Sequence, residues 1–587
     1  MKKALFISLL TTTSLIAKEL VVDAQNDPHK TIQSAVNEAQ AGDTIIVKPG
    51  RYPETVTFKT SGTAEAPITL RAEKPGTALI DGSDPVTGWQ KVAKPEEVAD
   101  TPNWRHIHFA EVPEGKTYRN IVLYEDDKFC AMAQDPAPED PFYYDVKTNY
   151  IPVAPGTYEV TYIILPEYFK QKDAAYWDGA GIIVWTGNNE MMYGFIEKFE
   201  PEIGKVTFTH MNRHPNNNER FSMVNHLDFI RKPGDYVVKK NPATGKNTLY
   251  YWPYDVKNLD AGKVTYSVRA NGIVMLGQNH LVVEGFDIRG HNRSGITTYI
   301  DSGMVFSDHL TVRNNRVYNA QHRGAGIALS AVRNALVENN YVHNIQFGEG
   351  INVNGPNYPN RDNPATNVMV RNNRVSRCGA SGIVFYTVTD GKMIGNLVHD
   401  NFGHHGNGLT AYVGCKNILF EGNTVMRSNF ALTMQDGDGM TVRDNILLGN
   451  GNEKPIIVVA SYRANLPNVT YENNVIMDAK TSFHIGEDNF VNYKIKGNVL
   501  DGLYVWSNHK PEDMIIEGNI ITKKTEANNG GRDTDYAKNN VFETDLSKIF
   551  IDAANGDFRR VKNGPLMEAG LLDGGRKIDL NPGPWKR

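Results

Sequence analysis

The chain has 587 residues and a formal net charge of −5 at pH 7, from 62 Lys and Arg against 67 Asp and Glu. This balance provides no basic surface for a nucleic-acid partner. The three cysteines, Cys130, Cys378 and Cys415, are too few and too scattered for a disulfide framework, so we expect isolated buried thiols. The length exceeds that of an ordinary domain, but a single repeat array can reach it without a domain break.

The N-terminus has the layout of a secretory signal peptide. Lys2 and Lys3 precede the apolar run from Ala4 to Leu10, and no charge follows before Lys18. We therefore predict a signal peptide over residues 1–17 and a secreted or periplasmic mature protein. A buried N-terminal strand is the alternative, because Leu15 stands where a small residue is preferred before cleavage. No later segment is long and apolar enough for a membrane span.

Residues 18–88 are predicted to form an N-terminal cap and the first coils of a β stack. Ile32, Ala35, Val36 and Ala39 have the spacing of a short amphipathic helix. A strand at 44–47 and the turn at 48–50 follow it. The helix can cover the open end of the stack, which would otherwise expose unpaired backbone groups.

Residues 89–263 have a different character. Aromatic and proline-rich stretches occur here, at 140–144, 177–185 and 249–253. They predict an inserted β-rich subdomain, and most of the aromatic residues are expected to fill its own core.

An internal repeat dominates residues 264–560. A phrase of the type Val-Arg-Asn-Asn or Ile-Glu-Gly-Asn returns nine times in steps of 21 to 33 residues, and its last residue is always Asn. Self-similarity at this period indicates stacked units, and the step suits one turn of a three-strand coil. Longer steps mark coils with a longer loop, and residues 561–587 are left as a C-terminal tail. The repeated residues are Asn315, Asn340, Asn373, Asn396, Asn423, Asn445, Asn474, Asn498 and Asn519.

Short strands with a period of two lie between the Asn phrases. Stacking the coils puts five apolar residues into one interior column: Ile327, Ile351, Ile383, Leu409 and Leu432. The Asn residues are interpreted as structural, because a left-handed backbone and an amide ladder both suit them. The fold class is all-β: a right-handed parallel β-helix with a short N-terminal capping helix and an inserted β-rich subdomain.

These features resemble a known group of proteins. The strings "TIQSAVNEAQAGDTIIVKPGRYPETVTF", "APITLRAEKPGTALIDGS" and "GDFRRVKNGPLMEAG", with the repeated coils between them, look like exported parallel β-helix carbohydrate-active enzymes of the pectate-lyase-like superfamily. That superfamily includes glycoside hydrolases and polysaccharide lyases, so the resemblance implies a polysaccharide or oligosaccharide substrate. Xylosidase-like members are similar in having an insert after the first coils and a strand like "LYYWP" on the return.

Two departures from the pattern stand out. Related glycosidases often have Asp-x-Gly before a strand where this chain has His405-Gly406-Asn407-Gly408. The Lys and Arg pair that marks alginate and dermatan lyases of this fold has no clear match. The resemblance therefore leaves the reaction open, because one fold hosts several chemistries.

The candidate substrate-binding residues lie on one outward strand column and on the edge before it. Neighbouring coils are about 4.8 Å apart, so side chains of successive coils can contact successive parts of one glycan. Tyr, Asn, Gln and His provide the stacking surfaces and hydrogen-bond partners that sugar rings need. The candidates are His322, Arg323, Asn352, Asn354, Tyr386, His404, Asn407, Gln435 and Glu487, with Ser330 in the same column.

Carboxylates are the first candidates for catalysis. Glu349 stands beside the column, and Asp436 and Asp438 are expected to end a strand on it. Asp436 and Glu487 are two coils apart, roughly 9.6 Å, which is near the upper limit for an inverting carboxylate pair and beyond a retaining one. A turn of residues that tolerate positive φ is the alternative for "DGDG".

His405 and Tyr412 are the other catalytic candidates. Together with Asn407 they could converge on one sugar, as in a lyase that abstracts the C5 proton of a uronate. A surface turn with solvated histidines is the alternative. No metal or other cofactor is expected, since adjacent His404 and His405 cannot easily face one ion. We expect a monomer and rank glycoside hydrolase first, polysaccharide lyase or epimerase second, and a non-catalytic carbohydrate-binding protein third.

Overall fold

The structure is a computed structural model. It describes residues 17–26, 28–143, 150–187, 190–211, 220–241, 243–299, 305–320, 324–356, 362–403, 405–449, 457–460, 466–478, 482–485, 491–502, 514–523, 537–565 and 575–583. The predicted signal segment lies outside these ranges except for its last residue, and it stays a prediction. Among the described residues, none of the helices has the length and apolar character needed to cross a bilayer.

Three long parallel sheets form the body of the molecule, and each coil contributes to all three in turn. Sheet 1 comprises ten strands: Val56–Thr57, Asn271–Val274, Ser294–Thr297, Ala325–Ser330, Glu349–Asn354, Ile383–Tyr386, Leu409–Tyr412, Leu432–Gln435, Ile457–Ala460 and Phe483–Ile485.

Sheet 2 comprises 17 strands in the described residues: Glu19–Val22, Thr44–Val47, Ile68–Ala72, Leu281–Glu284, Ser307–Asp308, Leu310–Arg313, Val332–Arg333, Leu336–Glu338, Ala365–Thr366, Met369–Arg371, Val388–Ile394, Cys415–Glu421, Gly437–Arg443, Val469–Glu472, Tyr493–Lys496, Met514–Glu517 and Ala537–Lys538. Sheet 3 comprises 13: Gly50–Tyr52, Ala78–Asp81, Asp287–Arg289, Arg316–Ala320, Tyr341–Ile345, Arg374–Cys378, Leu397–Asn401, Thr424–Ser428, Ile446–Leu448, Val475–Met477, Val499–Leu500, Ile520–Ile521 and Val541–Phe542.

The predicted interior column is confirmed. Ile327, Ile351, Ile383, Leu409 and Leu432 are paired in register from strand to strand of sheet 1 and are fully buried. They belong to one apolar core that runs through the stack. The fold class is thus confirmed as a β-helix.

The two positions of the repeated phrase have separate roles. The last Asn forms a buried amide ladder: Asn340 Nδ2 donates to Asn373 Oδ1 at 3.0 Å, and Asn373 Nδ2 donates to Asn396 Oδ1 at 3.1 Å. The residue before it has a left-handed backbone, with φ of 53° at Asn372 and 63° at Gly395. Glycine replaces Asn at this first position because the conformation alone matters there. At the second position the side-chain amide provides both a donor and an acceptor.

A row of charged side chains with alternating sign follows the outer face of sheet 2. Successive coils place these residues in register: Arg71, Glu284, Arg313, Glu338, Arg371, Ile394, Glu421, Arg443, Glu472, Lys496 and Glu517. Ion pairs join several neighbours, including Arg371 to Glu338 and Arg443 to Glu421, each at 2.7 Å. Opposite charges in register stabilise adjacent strands. Ile394 is the one uncharged position of the row.

The N-terminal end of the stack is covered by α1 (Ile32–Glu38), as predicted. Thr31 caps the helix by accepting from the Ser34 amide, and Ile32, Ala35 and Val36 are buried. A short helix, α2 (Lys257–Asp260), precedes the return to the stack. Near the C-terminus, Phe550–Asp552 and Asp557–Arg560 form an antiparallel pair.

Three mainly antiparallel sheets of the described residues lie between the first coils and the rest of the stack. One has the strands Ser83–Pro85, Leu123–Glu125, Lys128–Phe129 and Val264–Ser267; the next has Gln90–Lys91, His108–Glu111, Ala131–Met132, Asp235–Lys240 and Asn247–Tyr251. The largest has Gln134–Asp135, Ile151–Pro152, Tyr158–Glu159, Tyr162–Ile164, Gly181–Gly187, Glu190–Glu200, Lys205–Phe208 and Arg220–Val224. Most of its aromatic residues pack in the insert's own core. We call this part the insert; the division of the chain at residues 88 and 263 stays a prediction.

Candidate functional site

The outer face of sheet 1 carries a row of polar residues that each precede a glycine. Glu349 is the first residue of its strand, and Ser381 and Asn407 each lie two residues before the next two strands of sheet 1. The three residues are aligned, since Gly350 N donates to Ser381 O and Gly382 N donates to Asn407 O. We call these three residues the glycine-flanked row. Neighbouring members are about 4.8 Å apart in backbone terms.

The glycines are required by packing against sheet 3. A Cβ on Gly350 would lie 2.3 Å from Val375 Cγ1, and one on Gly382 would lie 2.4 Å from Val398 Cγ1. No other residue fits there without a shift of the backbone. Ser381 was not among the residues predicted from the sequence. The motif of a polar residue, a glycine and an aliphatic residue is the sequence signal that could have identified it.

Glu349 lies on the outer face and retains partial exposure to solvent. Its carboxylate is hydrogen-bonded to the side chain of Asn352, which lies between the inward residues Ile351 and Val353 and therefore projects outward. Burial raises the pKa of the Glu349 carboxyl, while its own backbone amide and the Asn352 amide act in the opposite direction. The net effect is a carboxyl group that holds its proton at higher pH than an ordinary Glu.

Two tyrosines extend this polar surface. Tyr386 and Tyr412 are in register on adjacent strands, with ring centroids 5.5 Å apart. Asn407 Nδ2 donates to the Tyr412 hydroxyl at 3.0 Å, although the two residues lie at opposite ends of that strand segment. The Tyr412 ring must therefore lie along the strand toward the glycine-flanked row.

Hydroxyl groups fill the space between these larger side chains. Ser381 Oγ and Thr410 Oγ1 are 3.0 Å apart, and both side chains are buried. Thr433 is the next residue in register after Thr410, and its buried hydroxyl has no hydrogen-bond partner among the described residues. The face therefore presents hydroxyl, amide and phenol groups in addition to one carboxyl.

The remaining predicted site residues lie on the outward column, in the turn before Asn407 or outside the described residues. Ser330, Asn354 and Tyr386 are in register, and Ser330 Oγ donates to Asn354 Oδ1. Gln435 is half-buried on the strand after Tyr412. His405 is exposed in the turn before Asn407. His322, Arg323, His404 and Glu487 lie outside the described residues.

Glu349 and the pair Asp436 and Asp438, proposed together as catalytic carboxylates, do not share one edge of the stack. Asp436 follows the end of its strand, whereas Glu349 begins its own, so the two are separated by roughly 20 Å along the strand direction in addition to three coils. Asp436 has φ of 49° and turns the chain from sheet 1 into sheet 2. Asp438 is consequently exposed on sheet 2, where it accepts from Asn468 Nδ2 at 2.8 Å.

Strained backbone flanks the tyrosines. Thr387 and Val413, each directly after a tyrosine of the column, have φ of 53° and 35°. β-Branched residues rarely adopt this left-handed region, and such outliers cluster at functional sites. Ala331 and Asp436 have a left-handed backbone at the equivalent corner of other coils, so this conformation turns the chain from sheet 1 toward sheet 2.

The insert borders the end of the face where Glu349 lies. Gln346 Nε2 donates to Phe142 O at 3.2 Å, and Arg377 pairs with Asp140 at 3.2 Å. Phe347 packs against an apolar cluster of the insert. These contacts are in the turns that lead from sheet 3 into sheet 1, so the insert forms one side of the candidate site.

Metal-binding and redox chemistry have no evident centre in the described part of the chain. No three His, Cys, Asp or Glu side chains converge there as metal ligands. Cys130, Cys378 and Cys415 are buried and unpaired, and burial raises the pKa of the Cys415 thiol to about 12. The thiols are therefore protonated and structural.

Comparison with family models and curated proteins supports the fold. Residues 246–363, 307–476 and 363–521 match the model of the right-handed β-helix region, and residues 27–87 match the chondroitinase B model. Pectate lyase PEL9 of Emericella nidulans is 36% identical over 86 residues, which are 14% of this chain and 21% of that protein. The chain thus spans about a fifth of that relative's length.

One solved structure agrees with this chain in architecture, and a second is similar over most of its length. A glycoside hydrolase aligns with a TM-score of 0.54 at 14% identity, covering 78% of this chain and 96% of its own. The complex of XylC with xylose aligns with a TM-score of 0.48 at 15% identity over 90% of this chain and 86% of its own. The chain is therefore a right-handed parallel β-helix protein, and the proteins that it is similar to include a pectate lyase and a glycoside hydrolase.

Proposed function

We propose that the protein is a glycoside hydrolase that cleaves a polysaccharide on the outer face of sheet 1, with Glu349 as the general acid. The observation that carries the proposal is the position of the Glu349 carboxyl on this face, where it is partly exposed and hydrogen-bonded to the side chain of Asn352; burial, which raises its pKa, supports the same role. Glycosidic oxygen is a poor leaving group unless a carboxylic acid protonates it, and such an acid needs a raised pKa to keep its proton near neutral pH.

The surroundings of Glu349 supply substrate-binding groups. Tyr386 and Tyr412 offer aromatic faces to sugar rings, and Asn352 and Asn407 offer amides to hydroxyl groups. The insert borders this face and restricts the direction from which a glycan chain can approach.

The proposal assigns the acid and leaves the second catalytic group of a hydrolase unassigned. In the glycine-flanked row, Ser381 and Asn407 occupy the coils after Glu349, so this row contains one carboxylate. A pair of carboxylates must lie within about 9.5 Å for hydrolysis with either stereochemical outcome. Asp436 does not meet this condition.

A polysaccharide lyase is the second candidate. The observation that favours it is the hydrogen bond from Asn407 to the Tyr412 hydroxyl, which holds a phenol beside the glycine-flanked row. A phenol can serve as acid or base in β-elimination, in which a C5 proton is removed and the glycosidic bond breaks without water. Secretion and a monomeric state remain part of the proposal.

The decisive experiment compares products and variants. The protein is incubated with a panel of plant and algal polysaccharides, and both reducing ends and absorbance near 235 nm are measured. Reducing ends without absorbance, lost in Glu349→Gln but retained in Tyr412→Phe, support the hydrolase. Absorbance that is lost in Tyr412→Phe and retained in Glu349→Gln supports the lyase. Absence of both signals would favour the carbohydrate-binding protein.

A further inference from the structure

The turn that leads from sheet 3 into Glu349 is one residue longer than the equivalent turn of the next coil. Three residues separate Ile345 from Glu349. Only two separate Cys378 from Ser381, which stand at the same register positions in that coil. An extra residue in one of two paired chains forms a bulge, and a bulge changes the direction of the side chains beside it. Phe347 lies in the longer turn, two residues before Glu349, so the bulge bears directly on the carboxyl group.

Phe347 has a backbone conformation that costs free energy. Its φ is 88°, whereas φ ranges from 35° to 74° at the other non-glycine residues with positive φ in the described part of the chain. Bulky side chains rarely adopt this region, and the cost is about 1–3 kcal/mol. Glycine would adopt it without strain. Gly379 and Ala380, in the turn of the next coil, do not have positive φ, so the strain is not a general property of the repeat.

The insert provides the contacts that hold Phe347 in this conformation. The Phe347 ring packs against an apolar cluster of the insert that includes Tyr118 and Trp185. The preceding residue, Gln346, is buried and donates from Nε2 to Phe142 O at 3.2 Å. A strained backbone persists only where the surrounding contacts outweigh the strain. The contact of the ring with the insert therefore explains why this position has phenylalanine, although glycine would fit the backbone better.

The connection from Phe347 to Glu349 is rigid. Gly348, the one residue between them, is buried, and a Cβ on it would lie 1.9 Å from Gly324 O of the preceding coil. A glycine with so little space around it does not act as a flexible joint. A displacement of Phe347 therefore moves Glu349 as well.

The protonation of Glu349 depends on the geometry of this turn. Among the described residues, burial and hydrogen bonds determine the pKa of its carboxyl, and no neighbouring charge contributes. The titratable group that faces it is the Cys378 thiol, whose pKa is raised by burial, so the thiol stays neutral. A shift of the turn that exposed the carboxyl to solvent would therefore lower the pKa of Glu349.

We propose that Phe347 is a positioning residue for Glu349: its ring binds the insert and thereby fixes the turn that directs the carboxyl onto the outer face of sheet 1. The insert thus controls the direction and the burial of the candidate acid through one side chain of the stack. The inference rests on the proposed function, in which Glu349 is the general acid, but the positioning itself is a property of the folded chain without substrate. Phe347 acts through Glu349 and needs no contact with the substrate.

The test measures the pKa of Glu349 in the full-length chain without substrate. Its carboxyl band is followed by infrared spectroscopy during a pH titration, and the spectrum of Glu349→Gln is subtracted to isolate it. Phe347→Gly deletes the ring and suits the same φ without strain. We expect the pKa of Glu349 to fall toward that of an ordinary glutamate in this variant, because the carboxyl gains solvent. Phe347→Leu keeps an apolar side chain for the insert and should retain most of the wild-type pKa.

The matched control is Phe195→Gly. Phe195 packs against the same apolar cluster and is also half-buried, but it belongs to the strand Glu190–Glu200 of the insert. This variant should leave the pKa of Glu349 unchanged even if it costs more stability. Circular dichroism verifies the fold of each variant, and Phe347→Ala gives the same comparison if Phe347→Gly does not fold. An unchanged pKa in Phe347→Gly, or an equal shift in Phe195→Gly, would overturn the proposal.

Turnover separates this inference from the proposed function. With a polysaccharide that the protein cleaves, Phe347→Gly should lower kcat by about 10²-fold and change KM by less than about threefold, because a misdirected catalytic group impairs chemistry more than binding. If Glu349→Gln retains turnover, the proposed hydrolase fails, while a lowered pKa in Phe347→Gly still supports the positioning. If Glu349→Gln abolishes turnover but Phe347→Gly changes neither kcat nor the pKa, the positioning fails and the hydrolase stands.

Discussion

At the scale of single residues, the environment of Glu349 sets both its protonation and its direction. Burial favours the neutral carboxylic acid, and Asn352 holds the group on the outer face. A general acid works only while it is protonated, so the active fraction falls as pH rises through its pKa. In the proposed role of general acid, the raised pKa of Glu349 would extend activity toward neutral pH.

Replacing Glu349 by Gln should lower kcat by about 10²–10⁴-fold, because general acid catalysis contributes on this scale. The amide has nearly the same shape and cannot protonate a leaving group. Turnover of the best polysaccharide of the panel is the measurement, with circular dichroism to verify the fold. An unchanged kcat would remove Glu349 from the chemistry, whereas a higher KM at constant kcat would make it a binding residue.

Asn352→Leu should move the alkaline limb of the pH profile of kcat/KM upward. The hydrogen bond from Asn352 stabilises the ionised carboxylate and lowers its pKa, so its removal raises the pKa further. The control is Asn354→Leu, which changes the same strand at a residue bonded to Ser330 instead. If the alkaline limb of the pH profile does not shift in Asn352→Leu, a group other than Glu349 is responsible for it.

At the scale of structural elements, the two residues of the repeated Asn phrase have different roles. One sets the backbone conformation, and the next forms the side-chain hydrogen bonds. Asn373 Oδ1 accepts from the amide and the side chain of Asn340, and its Nδ2 donates to Asn396 and to Val337 O. Asn372, directly before it, provides the left-handed turn. Replacing Asn372 and replacing Asn373 should therefore change the stability of the protein by different amounts.

Asn373→Ala should destabilise the protein by about 1–3 kcal/mol for each buried group left unsatisfied. Asn372→Gly is the matched control and should change the free energy of unfolding by less than about 1 kcal/mol, since glycine suits positive φ. Urea unfolding of both variants measures the difference. Equal losses at the two positions would contradict the separation of roles.

Phe385 tests the packing of the interior column. It is fully buried between Val353 and Ala411 of the adjacent coils. Phe385→Ala should cost about 3–5 kcal/mol through lost burial and a cavity. Tyr386→Phe changes the next, outward residue and should cost far less in the same urea measurement. A small effect of Phe385→Ala would mean that the core collapses around the deletion.

At the scale of the whole molecule, the charge row on sheet 2 connects coils from the N-terminal to the C-terminal part of the stack. Arg443→Glu would place three like charges in register with Glu421 and Glu472. We expect a loss of about 1 kcal/mol or more at low salt, which shrinks as salt screens the repulsion. Arg443→Gln is the control, with a smaller loss. A salt-independent loss would indicate a packing effect.

Much of this architecture could be predicted from the sequence because its signals are local. The Asn phrase and the period of two define coils and inward residues without knowledge of loops. The ends of strands were less accessible: "MQDGDG" contains a left-handed corner at Asp436 that sends Asp438 to another sheet, and periodicity does not reveal corners. The position of the insert beside Glu349 depends on tertiary contacts such as Arg377 with Asp140.

Because the charges along sheet 2 alternate in sign, the loss of a single coil would change which charges lie next to each other. Removing a charged member that lies between two charged neighbours would bring two like charges together, for example Arg313 and Arg371 if the coil of Glu338 were lost. The exception is the coil of Ile394, whose loss would join Arg371 to Glu421 and preserve the alternation. The same turn of chain contributes Ser381 and Tyr386 to the candidate site. The coil whose loss would join Arg371 to Glu421 is therefore a coil that contributes to the candidate site.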